Sequence, residues 1–152
     1  MKTILGDVNL SDVCVSRDTT FAEAADALVL SPAAVIAVVD DQHRVVGLFG
    51  AEEALAGVLP GYLGDLRHTA FTKDDAALLG ETAAAVRDEP VERHAVQPVV
   101  VSVDTSALHV GAVFLHTDLP AIAVVENDRF VGVLDQAEFA RAMLRRAARA
   151  DA

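Results

Sequence analysis

The chain has 152 residues and a formal net charge of −11. That charge argues against a broad nucleic-acid surface, which needs clustered Lys and Arg to displace counterions. More than half of the residues are apolar and they are spread along the whole length, so a packed core is available and disorder is disfavoured.

No apolar run approaches the roughly 18 to 20 residues that span a bilayer, and Met1 to Asp7 lacks the apolar stretch of a secretory signal. A soluble, cytoplasmic protein is expected. The single cysteine, Cys14, agrees with a reducing compartment and reads as a small core residue between Val13 and Val15.

In chain order, Val15-Ser16-Arg17-Asp18-Thr19-Thr20 reads as a strand end running into a helix start. Thr20 with Glu23 has the spacing of a capping box. Phe21, Ala24, Ala25 and Leu28 then form an apolar helical face. Val35 to Val39 is a short, continuous apolar run ending in Asp40-Asp41, as expected of a buried strand. A polar turn leads to a second strand over Arg44 to Phe49. Ala51, Ala54, Leu55, Val58 and Leu59 mark a second helix, stopped by Pro60-Gly61.

The connector from Gly61 to Pro90 is long. It predicts a helix over Asp74 to Arg87 and a short helical turn over Tyr62 to His68.

The first pattern then recurs. Val101-Ser102-Val103-Asp104-Thr105-Ser106 matches the opening, with Ser106 as the helix cap. Ala107, Val110, Gly111 and Phe114 repeat the first helical face position for position. Ala121 to Val125 repeats the apolar run, Arg129 to Leu134 the next strand, and Phe139, Ala140, Met143, Leu144 and Ala147 the closing helix. The chain therefore divides into a first repeat with its lead-in (1–60), a partly helical linker (61–90) and a second repeat (91–152). The fold class is α+β: two β-α-β-β-α units packed about a pseudo-twofold axis, since neither can bury both faces of its sheet alone.

This doubled order resembles the tandem CBS domain, named after cystathionine β-synthase and called a Bateman module when paired. The glycine junctions Gly47-Leu48-Phe49 and Gly132-Val133-Leu134, and the lead into the second repeat from Val91 to Ala107, carry the resemblance. It implies a stand-alone regulatory module, commonly a homodimer. Such modules bind AMP, ADP, ATP or S-adenosylmethionine in clefts between the repeats.

The family motif after the last strand is glycine, two apolar residues, Ser or Thr, two variable residues, then Asp. The hydroxyl and helix N-terminus face phosphate and the Asp accepts from the ribose hydroxyls. Carried onto this chain, the first cleft has Gly50, Ala51 and Glu53; the second has Asp135, Gln136 and Glu138. Both copies depart from the motif at both polar positions. A carboxylate at Asp135 repels phosphate, so the Gly50–Glu53 cleft ranks first on sequence. Base-wall candidates are Val15, Ala34, Val35 and Ile36 in one copy, and Val101, Pro120, Ala121 and Ile122 in the other. The alternative for most of these is ordinary core, and for the module a ligand-free dimerisation or protein-interaction scaffold.

Nothing points to catalysis. No phosphate-loop or dinucleotide glycine pattern calls for a cofactor, and no nucleophile elbow appears. His109 and His116 share a helix without further ligands, so no metal is expected. Arg67-His68 could reach a cleft mouth or simply end a helix. Arg141, Arg145, Arg146 and Arg149 suit the last turns of a helix, or a patch for an acidic protein partner.

Overall fold

The computed structural model describes residues 8–59 and 75–150. The turn expected at Tyr62 to His68, including Arg67-His68, lies outside them. The first repeat contains β1 (Cys14–Ser16), α1 (Phe21–Leu30), β2 (Val35–Val39), β3 (Val45–Gly50) and α2 (Ala51–Val58). Helix α3 (Asp75–Val86) and a 3-10 turn (Val91–Arg93) lead to β4 (Val100–Ser102), α4 (Ala107–Leu115), β5 (Ala121–Glu126), β6 (Arg129–Asp135) and α5 (Gln136–Ala150).

Each repeat builds a three-stranded sheet, ordered β1-β2-β3 and β4-β5-β6. The outer pair is parallel and the hairpin antiparallel in both. Both hairpins slip register at the same place, between Val38 and Val39 and between Val124 and Val125.

The apolar runs are continuous because both faces of the middle strand are covered. Side chains alternate along β2. Ile36 and Val38 pack under the helices with Phe21, Ala24 and Phe49. Val35, Ala37 and Val39 face the other sheet, where they join Ala121, Ala123, Phe130 and Val133. In the second repeat, Ile122 and Val124 face Val110, Phe114 and Phe139. The molecule thus has one core per repeat and a third shared between them, which holds the halves together about the pseudo-twofold axis. Ile36 and Ile122 are completely buried, each contributing about 2–3 kcal/mol of burial.

Local chemistry sets the helix starts. The hydroxyls of Thr20 and Ser106 accept from the backbone N–H of Glu23 and His109, both at 3.2 Å. Helix α5 departs from its expected face. Ala140, Leu144 and Ala147 are exposed, and Ala142 is buried instead beside Phe139. Only the first two turns of α5 meet the core, so Phe139, Ala142 and Met143 satisfy it and the rest projects outward. Among the described residues no helix is long and apolar enough to cross a membrane.

The lead-in segments cross over between repeats. Ser11, ahead of the first repeat, pairs with Val133 in β6, donating at 3.0 Å and accepting at 2.7 Å. Val96, ahead of the second, pairs in the same way with Leu48 in β3. This explains the two motif glycines. A Cβ on Gly132 would lie 2.5 Å from Leu10 Cβ, and one on Gly47 would lie 2.8 Å from Ala95 Cβ. Only a residue without a side chain lets the crossing chain lie flat on the sheet.

Asp40 organises the first hairpin. It accepts from the backbone N–H groups of Arg44 and Gln42 and from Arg44 Nε, all at 2.9 Å. These bonds, the Arg44 backbone donor foremost, hold its carboxyl below the usual aspartate range. A depressed folded-state pKa adds stability that is present above the unfolded value of about 4 and is lost as pH falls through the folded value. Asp40→Asn should therefore melt below the parent at neutral pH, with the gap narrowing below about pH 4. A gap that stays constant down to acid pH would contradict this role.

Candidate functional site

A cavity of about 190 Å³ opens where three segments meet. The lead-in supplies Asn9, Leu10 and Ser11, the α1–β2 loop supplies Pro32 and Ala33, and the second repeat supplies Val133, Asp135, Glu138 and Arg141. Its size is below the ~300–1,000 Å³ usual for drug-sized ligands, so a ligand must be small or must move a wall residue. Exposed Arg141 can move at low cost.

The polar groups here are specific. Asp135 ends β6, and its Oδ1 accepts from the Ala34 N–H across the repeat junction at 3.0 Å. Glu138 lies one turn into α5, with Arg141 Nε at 3.7 Å and Arg145 Nη2 at 3.8 Å from its oxygens. Its side chain is 22% exposed, while those of the two arginines are 61% and 56% exposed. The cations therefore screen Glu138 loosely, and pairs of this kind contribute about 0–1 kcal/mol.

Ser11 was not among the residues singled out from sequence. It is 9% exposed, and its buried Oγ has no hydrogen-bond partner among the described residues. An orphaned buried hydroxyl costs about 1–3 kcal/mol. No sequence signal marks it, because its role depends on a pairing with β6 more than a hundred residues away. Ser11→Ala is expected to leave the unliganded melting temperature unchanged or slightly raised, since no hydrogen bond is lost. A clear fall in melting temperature would show that the hydroxyl is structural.

The Gly50 side is built differently. A Cβ on Gly50 would lie 2.7 Å from Val35 Cγ1 and 3.1 Å from the Ala34 carbonyl oxygen. The absent Ser or Thr therefore has no room. Glu53 Oε2 accepts from the Gly50 N–H at 3.2 Å, capping α2. Ala51 is exposed at the start of that helix.

The base-wall candidates are mostly core. Ile36 and Ile122 lie under the helices, Val35 and Ala121 sit in the shared core, and Val101 is 5% exposed. Val15 is half-buried against the first core. Gln136 is exposed, and its backbone N–H donates to the Pro120 carbonyl at 2.9 Å. Asp135 and Glu138 are thus the sequence-predicted residues that this cavity brings together.

Other reactive groups are engaged elsewhere. Burial, with Asp12 adding to it, pushes the Cys14 thiol up and away from reactivity. His94 Nε2 lies 2.8 Å from Glu89 Oε2, and the His94 ring stands edge-on to Phe21. The His43 ring contacts Phe130 across the repeats.

The CBS domain family model matches the chain twice, over residues 5–59 and 91–145. No curated protein sequence matches it. Solved structures share the fold at low identity. CBSX2, a CBS-pair protein from Arabidopsis thaliana, superposes with a TM-score of 0.72 at 20% identity, covering 97% of this chain and 99% of its own. CBSX2 in complex with AMP gives 0.67 at 19% identity, covering 95% and 98%. A CBS domain-containing protein of unknown function from Kribbella flavida gives 0.69 at 18%, covering 93% and 97%. With two family matches on two equivalent sheet-and-helix units, this chain belongs to the CBS domain family as a tandem pair.

Proposed function

We propose that this chain is a non-catalytic regulatory module that senses an adenosyl compound in the cleft beside Asp135 and Glu138. The observation that carries this is the convergence there of both repeats and the lead-in. Glu138 stands where the family motif carries its ribose-binding carboxylate. The CBSX2 complex with AMP is a precedent for this fold holding an adenosyl ligand. The order of the two clefts is the reverse of that drawn from sequence. Gly50 is packed against Val35, and Glu53 is committed to capping α2. The Asp135 side offers a cavity.

A ligand in this cleft would touch both repeats at once. It would favour the arrangement it binds best, and only by its difference in affinity between arrangements. Thermal-shift measurement with adenosine, S-adenosylmethionine, AMP, ADP and ATP tests the proposal. Ligand at a hundred times its dissociation constant adds about 2.7 kcal/mol, an upward shift of about 5–10 °C for a chain of this size. No shift with any of them at millimolar concentration would overturn it.

Homodimerisation is part of the proposal. Val29, Leu30, Leu108 and Leu115 are all more than 80% exposed, on the equivalent helices α1 and α4. Exposed apolar side chains on related helices suit burial against a second copy of this chain. Leu30→Glu with Leu115→Glu should convert a dimer to a monomer in sedimentation. A parent that sediments as a monomer would contradict this part.

A second reading is a protein-interaction module acting through α5. Arg141, Arg145 and Arg149 recur every fourth residue, and Leu144 beside them is 70% exposed. It predicts capture of an acidic partner regardless of nucleotide, and loss of capture in the Arg145→Ala, Arg146→Ala double variant. Capture that persists in that variant would remove the arginines from the account.

A further inference from the structure

The polar wall of the Asp135 cleft has an excess of negative charge. Two carboxylates, Asp135 and Glu138, line it against the single guanidinium of Arg141. That guanidinium is already placed against Glu138, at 3.7 Å. Turning it toward a ligand phosphate would leave Glu138 with Arg145 alone, at 3.8 Å, and Asp135 still uncompensated.

Asp135 cannot easily withdraw. Its Oδ1 is held by the Ala34 N–H at 3.0 Å, which fixes the carboxylate at the junction. The second oxygen has no partner among the described residues. Ser11 lines the same wall and brings no charge to it. The wall is therefore suited to a sugar or amine and unsuited to a phosphate.

We propose that this cleft selects nucleosides whose group nearest Asp135 is neutral or cationic, such as adenosine or an adenosyl sulfonium. Asp135 is the residue that turns nucleoside phosphates away. This rests on the adenosyl reading above and narrows its ligand class. A phosphate brought beside Asp135 meets a like charge in a wall that already has an excess of carboxylates, and like-charge juxtaposition is unfavourable. An amine there gains a charge-assisted hydrogen bond, and a sulfonium, which has no hydrogen to donate, gains an opposite charge nearby.

Calorimetry on the full chain at low salt tests this with adenosine, S-adenosylmethionine and AMP. Asp135→Asn is the main variant. It removes the charge while keeping an acceptor for the Ala34 N–H, so the junction should hold. Asp135→Ser, which installs the family hydroxyl, is the second. The parent is expected to bind adenosine or S-adenosylmethionine at least about tenfold more tightly than AMP. Either variant should strengthen AMP binding by about tenfold or more and change adenosine binding by less than about threefold, an electrostatic difference of one charge at close range. Circular dichroism melting confirms that each variant is folded.

AMP binding the parent more tightly than adenosine would overturn the selectivity while leaving the adenosyl site in place. AMP binding unchanged in both variants would do the same. Absence of binding by all three compounds, to the parent and to both variants, would overturn the adenosyl reading itself.

Discussion

Gly132→Val is expected to destabilise the protein by about 3 kcal/mol, lowering the melting temperature by about 6–12 °C. The added Cβ alone would sit 2.5 Å from Leu10 Cβ and 3.3 Å from the Ser11 carbonyl oxygen. Neither contact can swing aside, because both atoms are on or next to the crossing backbone. The lead-in must lift off β6, losing the two Ser11–Val133 bonds at 3.0 and 2.7 Å, each worth about 1 kcal/mol. Strain from overpacking adds about 1–3 kcal/mol. Ligand binding should fall as well, since Leu10 and Ser11 form one wall of the cavity. Gly80 in α3 provides the control. Among the described residues a Cβ there meets nothing within 4 Å, so Gly80→Ala should gain up to about 1 kcal/mol from helix propensity. A Gly132→Val melting temperature equal to the parent's would show that the crossing is not held as described.

Glu138→Ala is expected to weaken adenosyl-ligand binding by about tenfold to a hundredfold, the range for losing hydrogen bonds to a charged acceptor. Its unliganded stability should change by less than about 1 kcal/mol, because its arginine partners are exposed and more than 3.5 Å away. Glu53→Ala should behave in the opposite way. It loses the bond from the Gly50 N–H, costing about 1 kcal/mol of stability, with little effect on affinity. Calorimetry and thermal melting on both variants separate these outcomes. Glu53→Ala weakening the ligand more than Glu138→Ala would restore the order of clefts drawn from sequence.

The repeat was legible because each middle strand is buried on both faces, which writes Val35 to Val39 and Ala121 to Val125 as unbroken apolar runs. Helix caps at Thr20 and Ser106 were legible because they act over three residues. What the two motif glycines do was not. Gly47 and Gly132 answer to Ala95 and Leu10, which the chain brings to them from the other repeat. The face of α5 was misjudged at Ala140, Leu144 and Ala142 because the spacing cannot tell where a long helix leaves the core. The family motif points to Asp135 and Glu138, which line the cavity, but the contacts around the two clefts could not be read from it. The Asp135–Ala34 bond and the packing of Gly50 against Val35 join segments separated in sequence. Ser11 carried no pattern at all.

In the proposed complex an adenosyl ligand sits where the lead-in, the α1–β2 loop and the start of α5 meet. Amide chemical-shift mapping during titration with adenosine measures this directly. The largest shifts are expected at Leu10, Ser11, Ala33, Ala34, Asp135 and Glu138, with small shifts at Gly50 and Glu53. Shifts concentrated around Gly50 to Glu53, or none at saturating ligand, would contradict it.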